Sequence, residues 1–218
     1  MQRFQFKTPT TISIYAPPMS GKSYLTKQVL QHAEELFSKP PQKIVYCYKE
    51  WLDMFDEMKL TMPNLILNEG VPTRDQVDEW ATGEQFILVL DDLQQTVQRR
   101  QESAELFTVA SHHKKCTVIY MCHNIFGRGP FAKLISTNTH YMILFNNNRD
   151  VQQVRTLGQQ IFGPENAYFL DAFKKATAER YGYLVVNMHP DRRREEDFQL
   201  LTKILPGEDT IVYKPKKK

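Results

Sequence analysis

The stretch that most limits what this chain can fold into is Ala16-Pro17-Pro18-Met19-Ser20-Gly21-Lys22-Ser23. It follows a β-like apolar run, Thr11-Ile12-Ser13-Ile14-Tyr15. It leads into a segment where Leu25, Val29, Leu30, Ala33, Leu36 and Phe37 share one helical face. A strand, a loop, Gly-Lys-Ser and a helix form the setting in which this pattern cradles phosphate, rather than an ordinary strand-to-helix turn. Backbone N–H groups must curl around the β-phosphate, so the residue before the lysine is best a glycine, here Gly21. Lys22 adds a point charge toward the β- and γ-phosphates, and Ser23 offers a hydroxyl to Mg²⁺. The helix N-terminus contributes its partial positive charge. The expected nucleotide-binding set is Ala16, Pro17, Pro18, Met19, Ser20, Gly21, Lys22, Ser23 and Tyr24, with ATP and Mg²⁺ as ligands. Ala16 stands where the pattern usually opens with glycine.

At 218 residues the chain is long enough for one α/β domain with a proper core and short for two. We expect one domain over 1–213 and a basic tail over 214–218. Net charge is only +3, which excludes a polycation. The basic residues gather at Arg99-Arg100, His112-His113-Lys114-Lys115, Arg192-Arg193-Arg194 and Lys214 to Lys218. Each run alone reads as a solvated face; together, beside a nucleotide site, they point to a nucleic-acid partner. Three cysteines at irregular spacing, Cys47, Cys116 and Cys122, read as reduced thiols of an intracellular chain. His112, His113, Cys116, Cys122 and His123 match no zinc spacing. No signal peptide or membrane-spanning run is expected, and no membrane partner.

Further along, strands are expected at 43–48, 64–67, 86–90, 116–122, 140–145, 183–187 and 211–213, and Phe4 and Phe6 suggest an added edge strand. Helices are expected at about 22–38, 51–58, 74–80 and 99–113, the last with Leu106, Phe107 and Ala110 inward. Asp150 reads as an N-cap with Gln153 as its capping-box partner, opening a helix that Gly163-Pro164 breaks and restarts. Phe86–Leu90 and Cys116–Cys122 are continuous apolar runs, the mark of strands buried on both faces. Strands alternating with helices predict a three-layer α/β fold with a mostly parallel sheet, in which ligands sit at the carboxyl ends of the strands. The loop at 16–23, Asp91-Asp92, Asn124 and Arg149 all fall just past strand ends.

Those strand ends carry chemistry. Asp91 closes its strand as a Mg²⁺-holding Walker B carboxylate does, and Asp92 is placed to polarise the attacking water. A glutamate is commoner there and reaches further. In the additional-strand class of P-loop ATPases, the next buried strand ends in a polar residue that senses the γ-phosphate; Asn124 is that residue, with His123 as the alternative. One subunit leaves the γ-phosphate open on one side, so an arginine finger is expected from a neighbour. Arg149 is the first choice, with Arg128, Arg99 and Arg100 as alternatives.

A resemblance covers about residues 8–214. It rests on Val89-Leu90-Asp91-Asp92-Leu93, His112-His113, Cys122-His123-Asn124-Ile125-Phe126, the run from Ile135 to Phe145, Asn148-Arg149-Asp150 with Gln152, Gly182-Tyr183-Leu184 and His189-Pro190. With these residues the chain resembles the genome-packaging ATPases of Polinton/Maverick elements, adintoviruses and virophages, in the FtsK/HerA-like superfamily with the poxvirus packaging ATPase. Ala16 and His123, where relatives often carry Gln, depart from the pattern without removing a group the reaction needs. The resemblance implies a homo-oligomeric ring, hexameric or pentameric, that threads double-stranded DNA into a viral capsid at its vertex. It implies work inside the host, in the nucleus or at the assembly site, or association with the virion. Two other readings stay open: another P-loop enzyme such as a small-molecule kinase, and a nucleotide-gated DNA-binding module with little turnover. The adjacent pair Asp91-Asp92 speaks against the second, since a pure binder needs no second carboxylate.

Overall fold

The continuous apolar runs become the centre of one sheet. β1 (Thr11–Tyr15), β4 (Phe86–Leu90), β5 (Cys116–Cys122), β6 (Tyr141–Phe145) and β7 (Tyr183–Asn187) are buried along their whole length. β2 (Lys43–Tyr48) and β3 (Leu65–Glu69) lie to one side, and β8 (Leu200–Thr202) and β9 (Ile211–Tyr213) to the other. The computed structural model describes residues 4–190 and 199–215, except the side chains of Ala110 and His112. The expectations for Ala110, His112, Arg192 to Arg194 and Lys216 to Lys218 therefore lie outside the described residues.

The strand order is β3-β2-β4-β5-β1-β6-β7-β8-β9. The first six strands run parallel, and β7, β8 and β9 are each antiparallel to the strand before. β5 sits between β1 and β4, so an additional strand separates the one that leads into the phosphate loop from the one that ends at Asp91. This is the three-layer, mostly parallel α/β fold expected.

Alternate side chains of each strand feed two cores. On one face Tyr15, Val45, Leu88 and Tyr120 pack with residues of α4 (Arg74–Trp80), α5 (Gln94–Val97), α6 (Gln101–Glu105), α8 (Ala132–Thr137), α9 (Val151–Phe162) and α10 (Asn166–Ala176). On the other, Ile14, Tyr46, Val89 and Met121 pack with α1 (Lys22–Gln31), α2 (Ala33–Leu36) and α3 (Met54–Thr61). A π-helical turn, Leu106–Ala110, joins α6 to α7 (Ser111–His113), and Leu106 and Phe107 face inward.

Several boundaries differ from expectation. The helix foreseen over 22–38 is two, α1 and α2, because the chain turns at His32 and is extended again by Phe37. Phe6 pairs with Phe37 there by a single parallel bridge, and Phe4 and Phe6 both pack on Tyr141. They plug one core instead of extending the sheet. α8 and β8 were not foreseen; with six and three residues they are too short to show a period. The three cysteines are free and buried, and burial pushes the Cys47 thiol up to about 12, so these are inert core residues. Among the described residues, no helix is long and apolar enough to cross a membrane.

Candidate nucleotide site

The loop between β1 and α1 begins by prolonging the sheet: Ala16 N–H donates to the Cys122 carbonyl at 3.1 Å. It then turns sharply. Met19 and Gly21 both take left-handed backbone, φ 60° and 90°. Such turns aim backbone N–H groups to one side, the geometry from which anion nests are made. Gly21 caps α1, whose first regular bond runs from Leu25 N–H to the Gly21 carbonyl at 2.9 Å. Among the described residues, Ser20 Oγ is buried without a hydrogen-bond partner, Ser23 is half-buried in the first turn, and Tyr24 is exposed.

Lys22 is 7% exposed and reaches across β5 to the end of β4. Its Nζ donates to Asp92 Oδ1 at 2.7 Å and lies 3.8 Å from Asp91 Oδ1. Asp91 is 4% exposed; its Oδ2 accepts from the Tyr46 hydroxyl at 2.8 Å, while its Oδ1 is buried with no hydrogen-bond partner. Desolvation raises the Asp91 carboxyl above its ordinary range, against the opposing pull of Lys22 and Tyr46. An orphaned buried carboxylate oxygen beside the phosphate loop fits a hydrated divalent cation, for which Asp91 and Ser23 are the protein ligands at hand.

Asp92 shares Lys22 with its neighbour but differs in backbone, exposure and proton affinity. It takes left-handed backbone, φ 54°, which turns its half-exposed carboxylate back toward Lys22. His123 Nε2 lies 3.0 Å from the same Oδ1, and His123 Nδ1 lies 3.1 Å from the Ala16 carbonyl. Burial pushes the Asp92 carboxyl up, but the Lys22 hydrogen bond and charge, with His123 beside it, outweigh that and hold it below the usual range. The chain thus holds two adjacent carboxylates with opposed proton affinities, one buried and raised by desolvation, the other half-exposed and lowered by Lys22.

Asn124 is exposed at the end of β5, and Gln153 positions it. Gln153 Oε1 accepts from Ile125 N–H at 2.7 Å and Phe126 N–H at 3.1 Å, while its Nε2 lies 3.5 Å from Asn124 Oδ1 and also donates to Asp150. Asp150 does cap α9, accepting from Gln153 N–H at 3.4 Å, but the reciprocal half of the expected capping box is absent. The Asp150 N–H donates to the Asn147 carbonyl instead, so the Gln153 side chain is available to clamp the loop after β5.

A cleft of about 810 Å³ opens beside these groups, lined by Asp91, Asp92, His123, Asn124, Arg99 and Arg128 among others. Arg149 and Arg100 do not line it. Arg149 is exposed on the loop after β6, its backbone N–H held by Asn147 Oδ1 at 3.1 Å. The structure therefore brings Lys22, Asp91, Asp92 and His123 into contact and sets Asn124 on the same cleft, whose lining does not include Arg149. Tyr46 is a site residue that sequence reading missed, because it reads as one more apolar position of β2. Gln153 was visible only as a capping residue.

No family model matches the sequence, and no curated protein matches it. Among solved structures the chain is similar to the genome packaging NTPase B204 of Sulfolobus turreted icosahedral virus 2 in complex with ATP-gammaS, with 12% identity over 95% of this chain and 98% of that one and a TM-score of 0.56. B204 in complex with AMPPCP matches at 12% identity, 95% and 98% coverage and a TM-score of 0.54. B204 of Sulfolobus turreted icosahedral virus, described as a DNA-packaging ATPase, matches at 11% identity, again 95% and 98%, with a TM-score of 0.56. At these identities the likeness speaks for the fold, and with a phosphate loop at the end of β1 and an additional strand between β1 and β4, this chain has the fold of the P-loop NTPases.

Proposed function

We propose that the chain is an ATP hydrolase that drives double-stranded DNA into a viral capsid, of the Polinton and adintovirus type its sequence resembles. The observation that carries this reading is the meeting of Lys22, Asp91 and Asp92 at 2.7–3.8 Å beside Asn124, on a fold shared over nearly the whole chain with packaging ATPases. In the reaction, residues 16–24 hold the triphosphate and Lys22 moves from Asp92 to the β- and γ-phosphates. Asp92, so released, orients a water in line with the γ-phosphorus and takes its proton; the water oxygen bonds to the γ-phosphorus as the bond from that phosphorus to the β–γ bridging oxygen breaks, giving ADP and phosphate. Asp91 and Ser23 would hold Mg²⁺, which would supply charge neutralisation for the triphosphate. Asn124 senses the γ-phosphate, and Arg149 of a neighbouring subunit completes the site, with Arg128, Arg99 and Arg100 as the alternative fingers. The basic clusters contact DNA phosphates in the pore of a hexameric or pentameric ring, which docks on the capsid vertex in the host nucleus or at the assembly site.

The test is ATP turnover by the purified chain with and without double-stranded DNA, with Lys22→Ala and Asp92→Asn as inactive controls. DNA is expected to stimulate turnover. Turnover that ignores DNA in a confirmed oligomer, while a small acceptor becomes phosphorylated, overturns the reading in favour of a kinase.

A further inference from the structure

We infer that Tyr181 is the base-stacking residue of the nucleotide site, an inference that rests on the nucleotide-binding reading of residues 16–24. The sheet dictates the direction. Asp91, Asp92 and Asn124 end β4 and β5, on one side of β1. A triphosphate whose γ end faces them runs its nucleoside end the other way, toward β6 and β7. β7 is antiparallel to β6, with Tyr183 in register with Phe145, and β6 in turn sets Leu144 beside Tyr15. The start of β7 therefore stands at the phosphate-loop end of the sheet, and Tyr181 lies just before it.

The ring of Tyr181 rests against Gly21, so closely that a Cβ there would fall 2.8 Å from Tyr181 Cδ1. It is nevertheless 52% exposed, so it is not a core residue. Arg180 lays its guanidinium 4.7 Å from the ring centroid. The backbone of Tyr181 is left-handed, φ 65°, a conformation bulky side chains rarely take. The turn that enforces it is tight: Gly182 N–H donates to the Glu179 carbonyl at 3.0 Å, and a Cβ on Gly182 would come within 2.5 Å of the Ala176 carbonyl. A strained, solvent-facing aromatic ring fixed against the glycine before Lys22 is a platform for a flat ligand, and a nucleobase is the flat part of the ligand the loop is built for. The purine stacks on Tyr181, and the Arg180 guanidinium adds a cationic layer to the stack.

Binding of ATP and of inorganic tripolyphosphate to the wild type, Tyr181→Ala and Tyr181→Phe tests this, with thermal melting to confirm that each variant folds. Tyr181→Ala is expected to weaken ATP about 5- to 150-fold while tripolyphosphate binding stays as in the wild type. Tyr181→Phe, which keeps the ring, restores ATP affinity. Unchanged ATP binding in Tyr181→Ala overturns the inference, and so does an equal loss of both ligands, which would make the ring a prop for Gly21. A wild type that binds neither ligand overturns the nucleotide reading itself; a wild type that binds both confines any failure to Tyr181.

Discussion

The two flanks of the phosphate loop are built differently. On the β5 and β4 side the polar groups are tied down in two sets: Lys22 with Asp91, Asp92, His123 and Tyr46, and Gln153 with Asn124 and the N–H groups of residues 125–126. On the β6 and β7 side the notable side chains, Arg149 and Tyr181, stand exposed. The difference matches the roles proposed for each flank. Groups that must meet a developing charge within a fraction of an ångström are held in advance by their neighbours. Groups that meet a ligand or a neighbouring subunit need only be presented.

Substitutions sort the flanks by size of effect. Asp92→Asn removes the proposed proton acceptor and leaves the fold in place, so kcat should fall about 10²- to 10⁴-fold in steady-state ATP hydrolysis, with ATP binding retained. Next is Gln153→Ala, which releases Ile125 and Phe126 N–H and lets Asn124 drift. A displacement of that kind lowers kcat by up to about 10²-fold with KM little changed. If Gln153→Ala alters KM alone, Gln153 serves nucleotide binding and the network does not position the sensor.

The two carboxylates give a smaller, signed effect. Asp91 has a raised pKa, so its protonation contributes stability that is present at acidic pH and lost as pH rises through the folded value. Asp92 has a lowered pKa; its contribution is present above the ordinary carboxylate range and lost as pH falls through the folded value. Asp91→Asn should therefore stabilise the chain toward denaturant at neutral pH and progressively less on acidification, whereas Asp92→Asn should weaken it at neutral pH and converge with the wild type in acid. Equal signs for the two would break the contrast between the two carboxylates. The smallest change in stability belongs to the exposed flank: Arg149→Ala should leave unfolding within about 0.5 kcal/mol of the wild type. Mixed with Lys22→Ala subunits, the same variant should regain turnover if Arg149 acts across an interface; no recovery in a mixture shown to co-assemble removes Arg149 as the finger.

Much of the candidate site was legible in the sequence because it lies at strand ends. β1, β4 and β5 announce themselves by continuous apolar runs, and Lys22, Asp91, Asp92 and Asn124 stand just past them. Tyr46, Gln153 and Tyr181 were not legible as site residues. Tyr46 reaches Asp91 from a neighbouring strand, Gln153 reaches Asn124 across 29 positions, and Tyr181 meets Gly21 from the far end of the chain.

The sequence by itself pointed to the candidate phosphate loop, the buried strands and the polar residues that end them, because each is written in a local run of apolar residues or a local glycine placement. Only the tertiary structure decided which strand lies beside which, and so which distant side chains meet. The insertion of β5 between β1 and β4 sets the reach from Lys22 to Asp91 and Asp92. The reversal at β7 returns the chain to the phosphate loop and lays Tyr181 on Gly21. Hydrophobic patterning says that a strand is buried; pairing and register depend on how the whole chain packs.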